Sequence, residues 1–337
     1  MLGRRIGILY SRIVGSTPGG TAMVSTAAFL LDGGHRVVSR RSFATSSVLG
    51  VFGLAACFGT SACHLVIPPK IMVVMMENQG ASQIIGNPAL PYVTSLANDY
   101  GSATESFAFA HTSLLDYLDI VSGSNEGVVD DNPPSSHSFP TVPTLADQLV
   151  TAGDKVGVYA ESLPADPTNN SGNYDVAHNP WEYFPSAPVT VKDGSALIPD
   201  LNGSSPPDFV WYTPNLIDDG HTGVPTDTEA NESAGAESFL SSFIPSVQAT
   251  SWYKSGGQII IEWDEALPTD TSGFNGANGG HIATIVVSKY LQASPQQSSA
   301  NVSTSGILRS IEHLYQVPYL GNASDASNGD INPLLNW

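Results

Sequence analysis

Residues 71–80 read Ile-Met-Val-Val-Met-Met-Glu-Asn-Gln-Gly, six apolar side chains in a row and then an acid and an amide where the run stops. An apolar run of this length without polar alternation suits a strand covered on both faces, the condition of a parallel sheet packed between helices. The pattern recurs along the chain. Val156–Ala160 runs into Glu161, Phe209–Thr213 into Pro214-Asn215 and then Asp218, Asp219 and His221, Ile259–Trp263 into Asp264-Glu265, and Ile282–Val287 adds another apolar run. Between these runs, helical periodicity predicts helices over Tyr92–Tyr100, Leu114–Val121, Thr144–Ala152 with Gly153 as its stop signal, Ala234–Val247 and Gly306–Tyr315. Strand alternating with helix predicts one doubly wound α/β domain. The loops Asn132–Pro140, Pro164–Pro188 and Ala266–Gly280 are long and mostly polar, and loops of that length in a compact domain are usually functional or disordered.

The 337 residues carry a formal net charge of −19, unevenly spread. Six of the twelve Lys and Arg residues precede residue 57, where the only acid is Asp32. The remainder therefore holds six bases against thirty acids, a formal charge of −24. So acidic a body excludes nucleic-acid backbone binding, which needs clustered Lys and Arg. The acidity is read either as solubility outside a cell or as a cation site, and the second reading needs specific carboxylates.

The start of the chain reads as an address. Ser39-Arg40-Arg41-Ser42-Phe43 precedes a short apolar stretch, Ala44–Ala56, which ends Leu54-Ala55-Ala56-Cys57. Twin arginines ahead of such a stretch resemble a twin-arginine export signal. The stretch falls short of the ~20 apolar residues that span a bilayer. Leu-Ala-Ala-Cys also resembles a lipobox in which Cys57 is acylated, and lipidation and simple secretion both stay open. Cys63 is the poorer lipobox candidate, and no disulfide framework is expected. Met23 is an alternative start. Residues 1–65 are assigned to export signal, possible lipobox and tether, and residues 66–337 to the folded domain. The expected location is extracellular or on the cell surface.

The strand ends carry the chemistry. Glu77-Asn78, Glu161, Asp218-Asp219-His221 and Asp264-Glu265 each follow an apolar run, and open α/β sheets bind ligands at the carboxyl ends of their strands. Oxygen-rich clusters suit hard cations such as Mg²⁺, Ca²⁺ or Mn²⁺. Each acid alone is also an ordinary helix cap or solvated turn. His111-Thr112-Ser113 directly precedes the helix pattern at Leu114, so Ser113 is either an N-cap or a nucleophile at the positive end of a helix. His178, His221 and His281 are isolated when read singly.

Taken together, the residues carry a resemblance. The run Val73–Asn78, then His111-x-Ser113, Tyr117-Leu118, Ser122-Gly123, Leu145-Ala146-Asp147, Tyr159–Pro164, His178-Asn179-Pro180, Pro214-Asn215, Asp219-x-His221, Trp263-Asp264-Glu265 and Ile311-Glu312 resembles the phosphoesterase family of secreted bacterial acid phosphatases and phospholipases C, in the same order over about residues 70–318. The resemblance implies an alkaline-phosphatase-like three-layer sandwich with a mostly parallel central sheet. It implies that Glu77, Asn78, Asp264, Glu265 and, less closely, His281 match metal positions, and that Ser113 matches the nucleophile. It places His111, Asp116, Asn78 and Asp219 with the substrate, and His178 and His221 with proton transfer. The expected substrate is a small phosphate ester or a phosphoinositide or phospholipid headgroup, and a monomer is expected.

Two departures bear on activity. The family pattern His-Pro-Ser-x-Pro-Asn-Tyr-Leu is here His111-Thr112-Ser113-Leu114-Leu115-Asp116-Tyr117-Leu118, with a carboxyl in place of an amide, and Thr304 stands where the family often has histidine. An ionised carboxylate cannot donate to a phosphate oxygen. Asp116 therefore weakens phosphate binding, recruits a second cation or points elsewhere. Three readings follow: a metal-dependent monoester phosphatase working through a phosphoserine, a phospholipase C-type phosphodiesterase, and a surface lipoprotein that binds without turnover.

Overall fold

The computed structural model describes residues 69–221, 229–292 and 294–335, together with two strands nearer the start, β1 (Ile8–Gly15) and β2 (Met23–Leu30). Those two strands pair antiparallel, Ile8 opposite Leu30 and Gly15 opposite Met23, within a unit of their own, Met1–Pro68. The sequence reading assigns this stretch to the export signal and tether and leaves it out of the fold. The twin arginines and Cys57 lie outside the described residues.

The second unit, Pro69–Trp337, holds the large sheet. Its strands are β3 (Ile71–Met76), β4 (Gly101–Phe107), β5 (Val156–Ala160), β6 (Val191–Asp193), β7 (Phe209–Thr213), β8 (Gln258–Trp263), β9 (His281–Ser288), β10 (Gln296–Ser298) and β11 (Val302–Ser303). They lie in the order β10-β4-β9-β8-β3-β7-β5-β6, with β11 following β10 along the outer edge of β4. All pairings are parallel except those of β9, which runs antiparallel between β8 and β4. The helices are α1 (Ala81–Ile84), α2 (Pro91–Asp99), α3 (Ser113–Ser122), α4 (Leu145–Ala152), α5 (Leu197–Leu201), α6 (Glu229–Gln248), α7 (Ser251–Lys254), α8 (Lys289–Gln292) and α9 (Thr304–Tyr315). Contacts divide the main ones into two groups: α3 packs with α4 and α9, and α6 with α2, α5 and α7. The result is helix, sheet, helix, the expected three layers.

Local causes account for the elements. All six side chains of β3 are fully buried, as are Ile259–Ile261 and Trp263 of β8, so these apolar runs have helices on both faces. Helix α4 starts on a reciprocal cap, in which the Thr144 hydroxyl accepts from Asp147 N and Asp147 Oδ2 accepts from Thr144 N at 2.8 Å. It stops at Gly153, whose φ of 93° is left-handed backbone open to glycine. Strand β4 reads Gly-Ser-Ala-Thr-Glu-Ser-Phe and has no apolar run, so pattern reading passes over it. Pairing to β9 and β10 makes it a strand.

Register positions the site. Met76 pairs with Trp263 and Val74 with Tyr212, so β3, β8 and β7 finish almost level. The residues that follow, from Glu77, Asp264 and Pro214 onward, leave the sheet at one edge.

At the far side of the fold, Glu312 of α9 is fully buried and accepts from Leu320 N at 2.8 Å, while its second oxygen has no partner. Burial raises its carboxyl to about 8. A raised carboxyl gives stability that is complete below its unfolded value and is lost as pH climbs through the folded one. Glu312→Gln keeps an acceptor for Leu320 and removes that loss. It is expected to stabilise the protein by on the order of 1–3 kcal/mol near pH 8 and by almost nothing near pH 4, as read from chemical denaturation at both pH values.

Candidate active site

Glu77 is the hub. It is the first residue beyond β3 and is fully buried, with its backbone N–H donating to the Asp219 carbonyl. Its Oε1 accepts from the Tyr117 hydroxyl at 2.6 Å, and its Oε2 accepts from Asn78 Nδ2 at 2.7 Å and from Ser113 Oγ at 3.2 Å. Asn78 turns the chain with a φ of 54°, which asparagine tolerates better than most residues, and its backbone N–H donates to Asp264 Oδ1 at 2.8 Å. Neighbouring strand ends are thus tied together by the residues that follow them.

His178 stands against the same hub. Its Nε2 lies 3.4 Å from Glu77 Oε1 and its Nδ1 3.5 Å from Asp219 Oδ2. The ring stacks on Tyr117 with centroids 5.4 Å apart. The His178 carbonyl accepts from the hydroxyl of Thr213, the last residue of β7, which fixes this part of the long loop to the sheet. Glu77, His178 and Asp219 place one potential ligand atom each within 4.8 Å of one another. His221 lies at the rim, partly exposed, its ring 6.4 Å from that of His178 and its backbone N–H donating to Asp219 Oδ1 at 2.7 Å.

Ser113 is the first residue of α3 and is 7% exposed. Its hydroxyl reaches Glu265 Oε1 at 3.5 Å as well as Glu77. His111 backs Glu265: its Nδ1 contacts Glu265 Oε2 and its Nε2 lies 3.0 Å from the Asp270 carbonyl. Both ring nitrogens are therefore committed within the protein. The expected place of His111 with the substrate puts it beside Ser113, and here its ring steadies Glu265, which the Ser113 hydroxyl also reaches.

Electrostatically the cluster is lopsided. Burial, with Asp264 and Asp219 close by, pushes Glu77 well above the ordinary carboxylate range. Burial raises Asp219 to about 7, against the pull of His178, and raises Glu265 to about 9 with Asp264 and Asp131 adding to it. Burial alone would lower His178, and contact with Asp219 reverses that and raises it. Among the described residues no lysine or arginine is placed to offset these acids. Lys70 donates to Ser255, Lys192 pairs with Asp200, Lys254 and Lys289 donate to backbone carbonyls, and Arg309 caps Ala323. Asp264 Oδ2 is buried without a hydrogen-bond partner, and Asp219 Oδ2 has only the 3.5 Å approach of His178 Nδ1. Oxygen donors, one imidazole, an unpartnered buried carboxylate oxygen and no competing lysine or arginine form a donor set that fits a divalent cation.

Other expected positions fall elsewhere. Asp116 is fully buried, and its carboxylate accepts from Phe109 N at 2.6 Å, from Ala110 N at 3.3 Å and from the Thr304 hydroxyl at 3.4 Å. The two departures, Asp116 and Thr304, meet in one hydrogen-bond set under the segment that carries His111. His281, expected among the metal positions, opens β9, with Nε2 2.8 Å from the Thr104 carbonyl and its ring against Phe107, so its contacts run to β4. Glu161 accepts from the Tyr212 hydroxyl and from Asn215 N, away from the hub. Sequence reasoning assigned no role to Tyr117, whose spacing of four residues from Ser113 on a helix was the available signal. It also missed Asp131, whose Oδ1 accepts from Leu114 N at 2.9 Å and which no local pattern marks.

The chain is 25% identical over 287 residues to the phosphatidylinositol-3-phosphatase of Mycobacterium tuberculosis, covering 84% of this chain and 89% of that one. It is 24% identical over 186 residues to the phosphate-repressible acid phosphatase of Penicillium chrysogenum, covering 51% of this chain and 43% of that one. In three dimensions it is similar to a protein of the alkaline phosphatase superfamily from Vibrio parahaemolyticus, with a TM-score of 0.54, 13% identity, and coverage of 76% of this chain and 70% of that one, a likeness of fold. The family model described as the Phosphoesterase family matches residues 83–318, starting just past Glu77 and Asn78, which join the site through geometry. The chain belongs to the Phosphoesterase family and is a hydrolase of phosphoric ester bonds.

Proposed function

We propose that the protein is a metal-dependent acid phosphatase that hydrolyses phosphate monoesters through a phosphoserine at Ser113. One observation carries the proposal: the Ser113 hydroxyl, at the start of α3, lies within hydrogen-bond reach of Glu77 and Glu265, carboxylates from two different strand ends. Glu77, Asp219 and His178 would hold the cation, with the unpartnered oxygen of Asp264 beside them and Asn78 orienting Glu77 and Asp264. When bound, a divalent cation lowers the pKa of a nearby hydroxyl and neutralises charge on phosphoryl oxygens.

The chain's own residues supply the rest. Glu77 and Glu265 accept from the Ser113 hydroxyl and so direct an oxygen lone pair outward. The helix start favours an incoming anion. Attack passes the Ser113 hydroxyl proton to a carboxylate that accepts from it, forms the Ser113 Oγ–phosphorus bond and breaks the bond from phosphorus to the ester oxygen, which takes a proton from His221 at the rim. Water then cleaves the phosphoserine and releases phosphate. A protonated histidine is the acid form, so turnover favours acidic conditions. His111 steadies Glu265, and Tyr117 steadies both Glu77 and His178.

The printed name of the mycobacterial relative supports a phosphoinositide headgroup as substrate. The Arg40-Arg41 pair and Cys57 support export and attachment at the cell surface.

Purified protein is expected to cleave p-nitrophenyl phosphate and to lose that activity in EDTA. Ser113→Ala is expected to lose at least about a thousandfold in kcat with an unchanged melting curve. Normal turnover in Ser113→Ala ends the nucleophile assignment. Tyr117→Phe removes the hydroxyl that orients Glu77, and weakening of divalent-cation binding by roughly tenfold or more is expected in calorimetric titration.

A further inference from the structure

Helix α3 begins at the nucleophile, and its cap is unusual. Thr112 occupies the N-cap position, yet its hydroxyl caps nothing and is buried without a partner. The cap comes from Asp131 instead, seventeen residues further along, whose carboxylate accepts from Leu114 N at 2.9 Å. Leu114 is the residue directly after Ser113, so its N–H is among the helix-start donors nearest the attacking oxygen. Those donors and the helix dipole are what an incoming phosphoryl oxygen seeks. Here an exposed acid already occupies one of them.

We infer that Asp131 is a specificity-determining residue that competes with the substrate phosphoryl group for the Leu114 N–H. The inference rests on the hydrolase reading above. A phosphoryl oxygen and a carboxylate oxygen cannot share one amide proton, and two anions at contact distance repel. Asp131 therefore yields its place when substrate enters, and its exposed position leaves it room to do so. The repulsion grows with the charge of the ligand. A dianionic monoester and inorganic phosphate are opposed more strongly than a monoanionic diester, so Asp131 narrows the preference for monoesters and limits inhibition by the phosphate product. Asp130, next in the chain, has the same charge and a different task, since its Oδ1 lies 2.6 Å from His137 Nε2.

The neighbouring pair supplies the experiment. Full-length wild type, Asp131→Asn, Asp131→Ala and Asp130→Asn are compared in the presence of Mg²⁺, Ca²⁺ or Mn²⁺. Inorganic phosphate is the probe, its Kd read by calorimetry, which needs no turnover. KM and kcat are read on p-nitrophenyl phosphate and on bis(p-nitrophenyl) phosphate. Asparagine keeps an acceptor for Leu114 N and loses the charge, so the helix start stays capped. Asp131→Asn is expected to bind phosphate about tenfold more tightly, the size of removing one partly exposed charge at contact. Its monoester KM should fall similarly with kcat within about threefold, and kcat/KM for the diester should rise less. Asp131→Ala is expected to bind phosphate at least as tightly as Asp131→Asn, and Asp130→Asn to stay within about twofold of wild type. Phosphate affinity that is unchanged or weaker in both Asp131 variants overturns the inference, and so does an equal gain in Asp130→Asn, which would make the effect one of net charge. A wild type that binds phosphate but turns over no ester sinks the phosphatase reading alone, because the Kd comparison is still decided.

Discussion

The site depends on the level ending of β3, β7 and β8. Their parallel register brings Glu77, Asp219 and Asp264 to one sheet edge, where backbone hydrogen bonds lock them: Glu77 N to the Asp219 carbonyl, Asp264 N to the Met76 carbonyl and Asn78 N to Asp264 Oδ1. The carboxylates are held together by the same ladder that forms the core. Their mutual repulsion is met by main-chain geometry, with no lysine or arginine among the described residues placed to relieve it. Such a concentration of buried acid is costly in an empty protein and favourable around a cation.

Around this edge, most side chains position others. Tyr117 lies one turn from Ser113 on α3, and it both donates to Glu77 and stacks on His178. His111 acts on Glu265, and Asp116 with Thr304 holds the backbone at Phe109 and Ala110 just ahead of His111. These contacts fix Ser113 through the segment before it, the helix after it and the carboxylates opposite it. Preorganisation of this kind is what the proposed transfer to the Ser113 hydroxyl needs, because misplacement of an attacking oxygen costs rate steeply.

The long loops divide the labour. The segment between β5 and β6 delivers His178 and anchors it through Thr213, while the turn after β7 delivers Asp219 and His221. The segment after α3 returns Asp131 to the start of that helix. Loops of such length persist in a compact domain because their ends are fastened to the sheet edge.

Much of this was legible in the chain itself. The apolar runs at 71–76, 156–160 and 209–213 coincide with strands residue for residue, because strands buried on both faces are mostly apolar and so print their limits in sequence. The acids just past those runs, and Ser113 at a helix start, were visible for the same reason. Strand β4 was hidden, since its pairing comes from β9 and β10, nearly two hundred residues away, and its own residues are small and polar. Side-chain direction was hidden as well. Asp116 and Ser113 lie three positions apart on one helix, yet one turns to the backbone of Phe109 and the other to Glu77. His111 and His281 look like any site histidine until their ring nitrogens are found on Glu265, Asp270 and Thr104. Residue type and spacing decide which groups reach the sheet edge. Only the packing of distant segments decides which of them face one another, because hydrogen bonds between groups a hundred or more residues apart leave no periodicity in the chain.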